Sequence, residues 1–179
     1  MAVSSDIAAM YRRPAAVVRD KLARVVSEPR ALAYLMAACG LMFVAQMPGA
    51  VRRVWQRDPA SWEADRQAFQ EAVQPELGAT LLGMVILLPL FFYLLALIIF
   101  AVARLFRSSV AGWDVRLVTF WALLAATPLQ LLAGLTSAFV GAGTALNLVG
   151  VLWVVVFLWF LSTGVREAHR MAAQDGEAA

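Results

Sequence analysis

Histidine occurs once in the sequence, at His169 in a polar stretch beyond the last apolar run, so one chain cannot assemble a histidine metal site or a catalytic triad. Cysteine also occurs once, at Cys39, which excludes an internal disulfide and reads as a small buried apolar residue. The glycines of "GAG" at 141–143 lack the lysine, the spacing and the strand context of a phosphate-binding loop, and read as a turn. Asp114 and Arg116 stand beside Trp113 at the border of an apolar run, where a loop at headgroup level keeps both charges in reach of water. No catalytic residue, metal site or cofactor follows from these positions, and the reading is of a protein that is not an enzyme and does not bind nucleic acid.

The polar groups within the apolar runs are few. Among them are Gln46, Thr80, Thr127, Gln130, Asn147 and Ser162, and no Asp, Glu, Lys, Arg or His lies in the interior of a run. Ionisable groups at membrane depth are the usual mark of ion coupling, so an ion-coupled pump is disfavoured. Thr127 and Gln130 flank Pro128 in "FWALLAATPLQLLAGL", where the proline removes one backbone donor and strands the carbonyl of Leu124. Either side chain can relieve that carbonyl inside a bundle. Pro89 and Pro128 thus mark bends, and Pro89, Thr127, Pro128, Gln130 and Asn147 are the candidate helix-packing or pocket residues.

These residues must be positioned by membrane helices. Of 179 residues, 62% are hydrophobic and 15% charged, outside the balance of a soluble domain. The apolar residues collect into runs long enough for a hydrocarbon core of about 30 Å. Spans are expected at about 31–51, 77–103, 117–140 and 145–165, the last two joined by a tight "GAGT" hairpin. The fold class is therefore all-α, a polytopic transmembrane bundle of four spans, with five as the alternative. "YLMAACG" loosely resembles a lipoprotein box ending at Cys39, but the apolar run continues past it, so the first span reads as retained. Small residues four apart, such as Ala33 and Ala37, Ala79 and Gly83, or Gly134 and Ala138, would allow close helix contacts.

Residues 1–30 form a basic segment, 31–168 the transmembrane domain and 169–179 a polar tail. Within "PAAVVRDKLARVVS", from Pro14 to Ser27, a helical projection gathers Val17, Val18, Leu22, Val25 and Val26, with Arg19 and Arg24 at the flanks and Lys21 placed to snorkel. Such a helix either lies in the membrane surface, with Arg19, Lys21 and Arg24 as headgroup contacts, or packs against the ends of the spans. In the first loop, Asp58 and Pro59 form an N-cap signature and Pro75 is expected to end a helix of about 15 residues, with Trp62, Phe69 and Val73 on one face. That helix reads as a seal over the ends of the spans.

Eleven basic residues lie on the side of the termini and four, offset by five acids, in the first loop. The bias places both termini in the cytoplasm, although Arg52 and Arg53 flank the first span on its outer side.

The order of "LLPLFFYLLA", "VRLVTFWALLAATPLQLLAGL", a Gly-rich hairpin and "GVLWVVVFLWFL" followed by "REA" resembles the bacterial members of the Yip1 family of polytopic membrane proteins, over about residues 28–168. The family's eukaryotic members are associated with vesicle trafficking and Rab-type GTPases. This sequence does not carry their long cytosolic N-terminal region, and it shows four spans where the family usually has five, so no Rab-type partner is inferred. Arginine outnumbers lysine fourteen to one and alanine is abundant, which fits a GC-rich bacterial genome and the inner membrane. The expected function is a non-catalytic membrane scaffold whose candidate partners are membrane lipids, including anionic ones, other membrane proteins and a second copy of the chain. The alternative is a small solute channel or transporter with a pocket at the proline-bent second and third spans.

Overall fold

The computed structural model describes residues 3–24, 27–105 and 110–177, and Val25, Val26 and Arg107 of the sequence reading lie outside them. In chain order the helices are α1 (Val3–Met10), α2 (Pro14–Ala23), α3 (Glu28–Trp55), α4 (Pro59–Ala64), α5 (Arg66–Leu82), α6 (Leu88–Leu105), α7 (Gly112–Phe139) and α8 (Thr144–Glu177). A π-helical segment, Gly83–Leu87, joins α5 to α6 without a break. Four helical stretches among the described residues are long and apolar enough to cross a membrane: α3, the 40-residue Arg66–Leu105, α7 and Thr144–Gln174 of α8.

The bundle is built around α7. Every residue from Leu117 to Thr127 is buried, because α3 and α8 pack along this helix and α6, α2 and α1 close the remaining sides. The other spans keep wide apolar faces outward, such as Leu90, Phe91, Leu94 and Leu97 on α6 and Val151, Val155 and Leu158 on α8. Large apolar side chains on the outside are what a hydrocarbon solvent selects.

Helices α3 and α7 approach closely at Gly134. A side chain on Gly134 would run into the backbone carbonyl of Ala45, so only glycine lets the two backbones meet there. The α7–α8 hairpin turns at 140–143, where Gly141 has φ of +92°, a left-handed conformation open to glycine at no steric cost. The "GAG" stretch is therefore a turn, as its sequence implies.

One expectation needs correction. Pro75 does not end the first-loop helix. The break falls at Asp65, whose carboxylate accepts from the backbone N–H groups of Gln67 and Ala68 and so starts α5, which then runs through Pro75. Pro75 is exposed, so the Glu71 carbonyl it leaves without a donor lies on the side open to solvent, and the usual proline penalty is relieved. The first-loop helix is accordingly two pieces, α4 capped by Asp58 and the start of α5, with Trp62 of the first lying 5.9 Å from Phe69 of the second. Helix α8 runs on through the polar stretch from residue 169 as far as Glu177, which the polar reading leaves open.

Pro89 acts differently. Its ring cannot fit against the carbonyl of residue 85 in a regular α-turn, and the chain widens into the π segment immediately before it, with the Leu88 N–H reaching the Gly83 carbonyl. The helix continues instead of stopping.

Candidate functional site

One charged pair of the N-terminal segment, Asp6 and Lys21, turns inward. Lys21 on α2 is buried, and its ammonium lies 2.5 Å from the Asp6 carboxylate of α1, itself buried, and 4.3 Å from the centre of the Trp121 ring on α7. Tyr34 of α3 adds a second ring at 5.6 Å. The lysine is thus held by one carboxylate and two aromatic faces from three other helices. Arg19 reaches Glu167 of α8 at 2.6 Å, and this carboxylate is also buried and is shared with Arg170 at 3.7 Å. Arg24 pairs with Asp20 one turn earlier on its own segment at 2.7 Å.

Tyr11, in the turn after α1, completes the docking. Its hydroxyl donates to the Ala125 carbonyl at 3.1 Å and its ring meets Phe160 edge-on at 5.0 Å. Burial pushes the phenol's pKa up from its ordinary value, which favours the protonated donor. Of the two sequence readings of α2, the contacts with α8 and α7 and the burial of Val18 and Lys21 are those of a helix packed on the spans.

At the opposite end, Arg52 closes the α7 terminus. Its guanidinium donates to the carbonyls of Ala138 at 2.7 Å and Ser137 at 3.3 Å, two of the groups that a helix end leaves open. Arg53 and Arg57 both reach the Glu76 carboxylate, at 3.2 and 3.0 Å. Trp62 donates its indole N–H to the Val54 carbonyl at 3.2 Å, which ties α4 to the end of α3.

The residues proposed around the prolines are dispersed. Thr127 is buried and donates to the Leu124 carbonyl at 2.8 Å, while Pro128 is exposed on the outside of α7 and Gln130 is half-buried. Asn147 is exposed on the first turn of α8, and Pro89 is half-buried at the start of α6. A concavity lies elsewhere, between α6 and α7. It has a volume of about 520 Å³ and is walled by Leu90, Leu94, Leu97 and Phe100 of α6, with Gly112 and Arg116 of α7 at its mouth. Among the described residues there is no cluster of three or more histidine, cysteine, aspartate or glutamate side chains that could hold a metal ion.

This arrangement, spans around a buried central helix with an N-terminal helix pair docked on them, coincides with a match of the Yip1 domain family model to residues 8–178. The chain belongs to the Yip1 family. Neither the curated proteins nor the solved structures contain a match. The match is wider than the resemblance read over residues 28–168. The Yip1 domain begins inside α1 and takes in Tyr11, Arg19, Lys21 and Glu167, so the docked α2 belongs to the domain itself.

Three features of this Yip1 domain were missed in the sequence. The inward turn of Lys21 depends on Asp6, fifteen residues away, and on rings from two spans. The role of Arg52 was hidden because a basic residue at a span end normally reports membrane side, not a helix cap. The α6–α7 groove arises from how two apolar helices splay, and the sequence offers only Arg116 and the aromatic Phe100 as signals of it.

Proposed function

We propose that this Yip1-domain protein is a non-catalytic multi-pass scaffold of a bacterial inner membrane, holding lipids or partner proteins rather than passing a solute. The observation that carries this reading is the chemistry of the central helix. From Val115 to Thr127 the polar side chains are Arg116 at its end, the Trp121 indole, whose buried N–H has no hydrogen-bond partner among the described residues and whose ring faces Lys21, and two hydroxyls, each spent on its own helix: Thr119 donates to the Val115 carbonyl at 2.7 Å and Thr127 to the Leu124 carbonyl at 2.8 Å. A transport path needs polar groups free to replace a solute's water, and a proline-broken helix would be expected to unwind around it. Here α7 runs through Pro128 without a break.

Both termini are assigned to the cytoplasm. The assignment rests on the bias itself, eleven basic residues on that side against four in the first loop. Cytoplasm-only and periplasm-only reporters fused after Ala179 test this, and activity of the periplasmic reporter would overturn it.

The functional test is reconstitution of the whole chain into sealed vesicles with a panel of ions, polyols and amino acids. The scaffold reading expects flux equal to that of empty vesicles. Flux of a solute that disappears in Gln130→Leu, at unchanged thermal stability, would replace the scaffold by a transporter.

A further inference from the structure

The groove between α6 and α7 is open to the side of the bundle, where in a membrane the acyl chains lie. Its wall from Leu90 to Phe100 covers ten residues of helix, or about 15 Å, which is one leaflet's share of a hydrocarbon core of about 30 Å. The wall is apolar along this length: Leu90, Leu94 and Leu97 are each more than half exposed, and Ala96 leaves the floor low. At the end where α6 finishes, the lining changes in kind. Arg116 enters the groove from the first turns of α7, and Arg104 lies one turn beyond Phe100 with its guanidinium 5.5 Å from that ring.

Arg116 is half-buried and is paired with Glu28, which is itself about half exposed at the start of α3. Its Nε also points at the Gly112 carbonyl at 3.4 Å, which keeps the guanidinium at the mouth. Asp114 is two positions from Arg116 and so roughly 200° around α7 from it, away from the groove side. The groove lining therefore ends in one guanidinium, Arg116, countered by a carboxylate that solvent can compete for, and a second, Arg104, stands beside it against the Phe100 ring. Guanidinium is the side chain suited to bidentate binding of a phosphate diester.

We infer that the α6–α7 groove holds one acyl chain of a glycerophospholipid with a net negative headgroup, whose phosphate lies between Arg104 and Arg116. The leaflet is the one facing α1 and α2. The inference rests on the scaffold reading and gives it a lipid class and a location. Of the headgroup candidates Arg19, Lys21 and Arg24, Lys21 is buried, and the inference adds two arginines outside that segment. A free phosphate would use the arginines but leave the apolar wall uncovered, so the lipid is the occupant that matches both parts.

The experiment uses the whole chain, stripped of lipid in detergent and titrated with phosphatidylglycerol or phosphatidylcholine of identical chains. Bound lipid is counted by native mass spectrometry and melting is followed in parallel. Phosphatidylglycerol should bind better, and Arg104→Gln or Arg116→Gln should each weaken it about fivefold, the effect of one basic group at a charged surface. Glu28→Gln should act in the opposite sense and strengthen it, because Arg116 is then unopposed. Leu97→Trp, an apolar exchange on an exposed position, should reduce binding of both lipids by filling the groove. Inorganic phosphate should not compete.

Equal binding of the two lipids by the unaltered chain would overturn the inference. So would an arginine variant and Glu28→Gln that shift binding in the same direction. A two-chain complex that holds no lipid and is broken by Leu97→Trp would make the groove an interface between copies instead. Failure of lipid binding leaves the partner-holding scaffold intact, whereas solute flux in sealed vesicles would remove the scaffold whatever the lipid result.

Discussion

The Thr127 hydroxyl donates to the carbonyl of Leu124, the acceptor that Pro128 deprives of its backbone partner. The two side effects of the proline, a missing N–H and a stranded carbonyl, are thus separated: the first is left on an exposed helix face and the second is repaired from the preceding residue. Thr127→Val keeps the shape and removes the repair, so it should cost about 1–3 kcal/mol as an unpaired buried acceptor. In a Pro128→Ala background, where a backbone donor is restored, the same change should cost less than about 0.5 kcal/mol. Denaturation of the four proteins in one detergent measures this coupling, and equal costs in both backgrounds would show that the hydroxyl serves some other purpose.

Glycines at the helix crossing should differ sharply from glycines at the lipid face. Gly134→Ala drives a methyl into the Ala45 carbonyl and must part α3 from α7, at a cost of about 1–3 kcal/mol or more. Gly40→Ala meets nothing within 4 Å and should gain up to about 1 kcal/mol from helix propensity. Thermal unfolding of the two single variants decides it.

Removing one partner of the Asp6–Lys21 pair leaves a buried charge alone. Lys21→Met should therefore destabilise the protein by about 3–5 kcal/mol, while Asp6→Leu with Lys21→Met should recover a large part of the loss. Limited proteolysis between α2 and α3, compared across the three proteins, should show the N-terminal pair loosened in the single variant and docked again in the double. Cleavage unchanged by Lys21→Met would mean that apolar contacts alone hold α1 and α2.

At the other end, Gly141→Ala should cost about 1–2 kcal/mol from its left-handed backbone, and the added methyl also presses on the Arg52 guanidinium. Arg52→Leu should remove the second effect but expose the Ser137 and Ala138 carbonyls, so the double variant should not be less stable than the sum of the singles. Melting temperatures of the three variants give the comparison.

The spans were legible because a membrane core demands long uncharged runs, and α3, α6, α7 and α8 each carry one. The Leu124 carbonyl and its relief by Thr127 were legible too, since proline's defect is local and its remedy lies one residue away. What was not legible depends on distance or surroundings. Pro75 follows the rule for a helix stop, and only its exposure cancels that rule. Helix α1 has the short sequence "VSSDIAAM" with little pattern, and its order comes from Met10, Asp6 and the neighbouring Tyr11 meeting other helices. Lys21 projects to the flank of an apolar stripe in isolation, and nothing in that stripe reveals that Trp121 waits beneath it.

The π segment before Pro89 has a further effect on the helix that contains it. Each residue of an α-helix advances the side-chain direction by about 100°, so one extra residue in a single wide turn rotates everything after it by about that angle. Residues 66–82 and 88–105 are therefore one rod in length but two in phase. The first part sets its stripe against α3 and the second sets its own against α7. A single continuous helix can in this way serve as a hand-over between two neighbours, and deleting one residue between Gly83 and Leu87 would straighten the rod while turning Phe92 and Ala96, its two buried residues, out of the core.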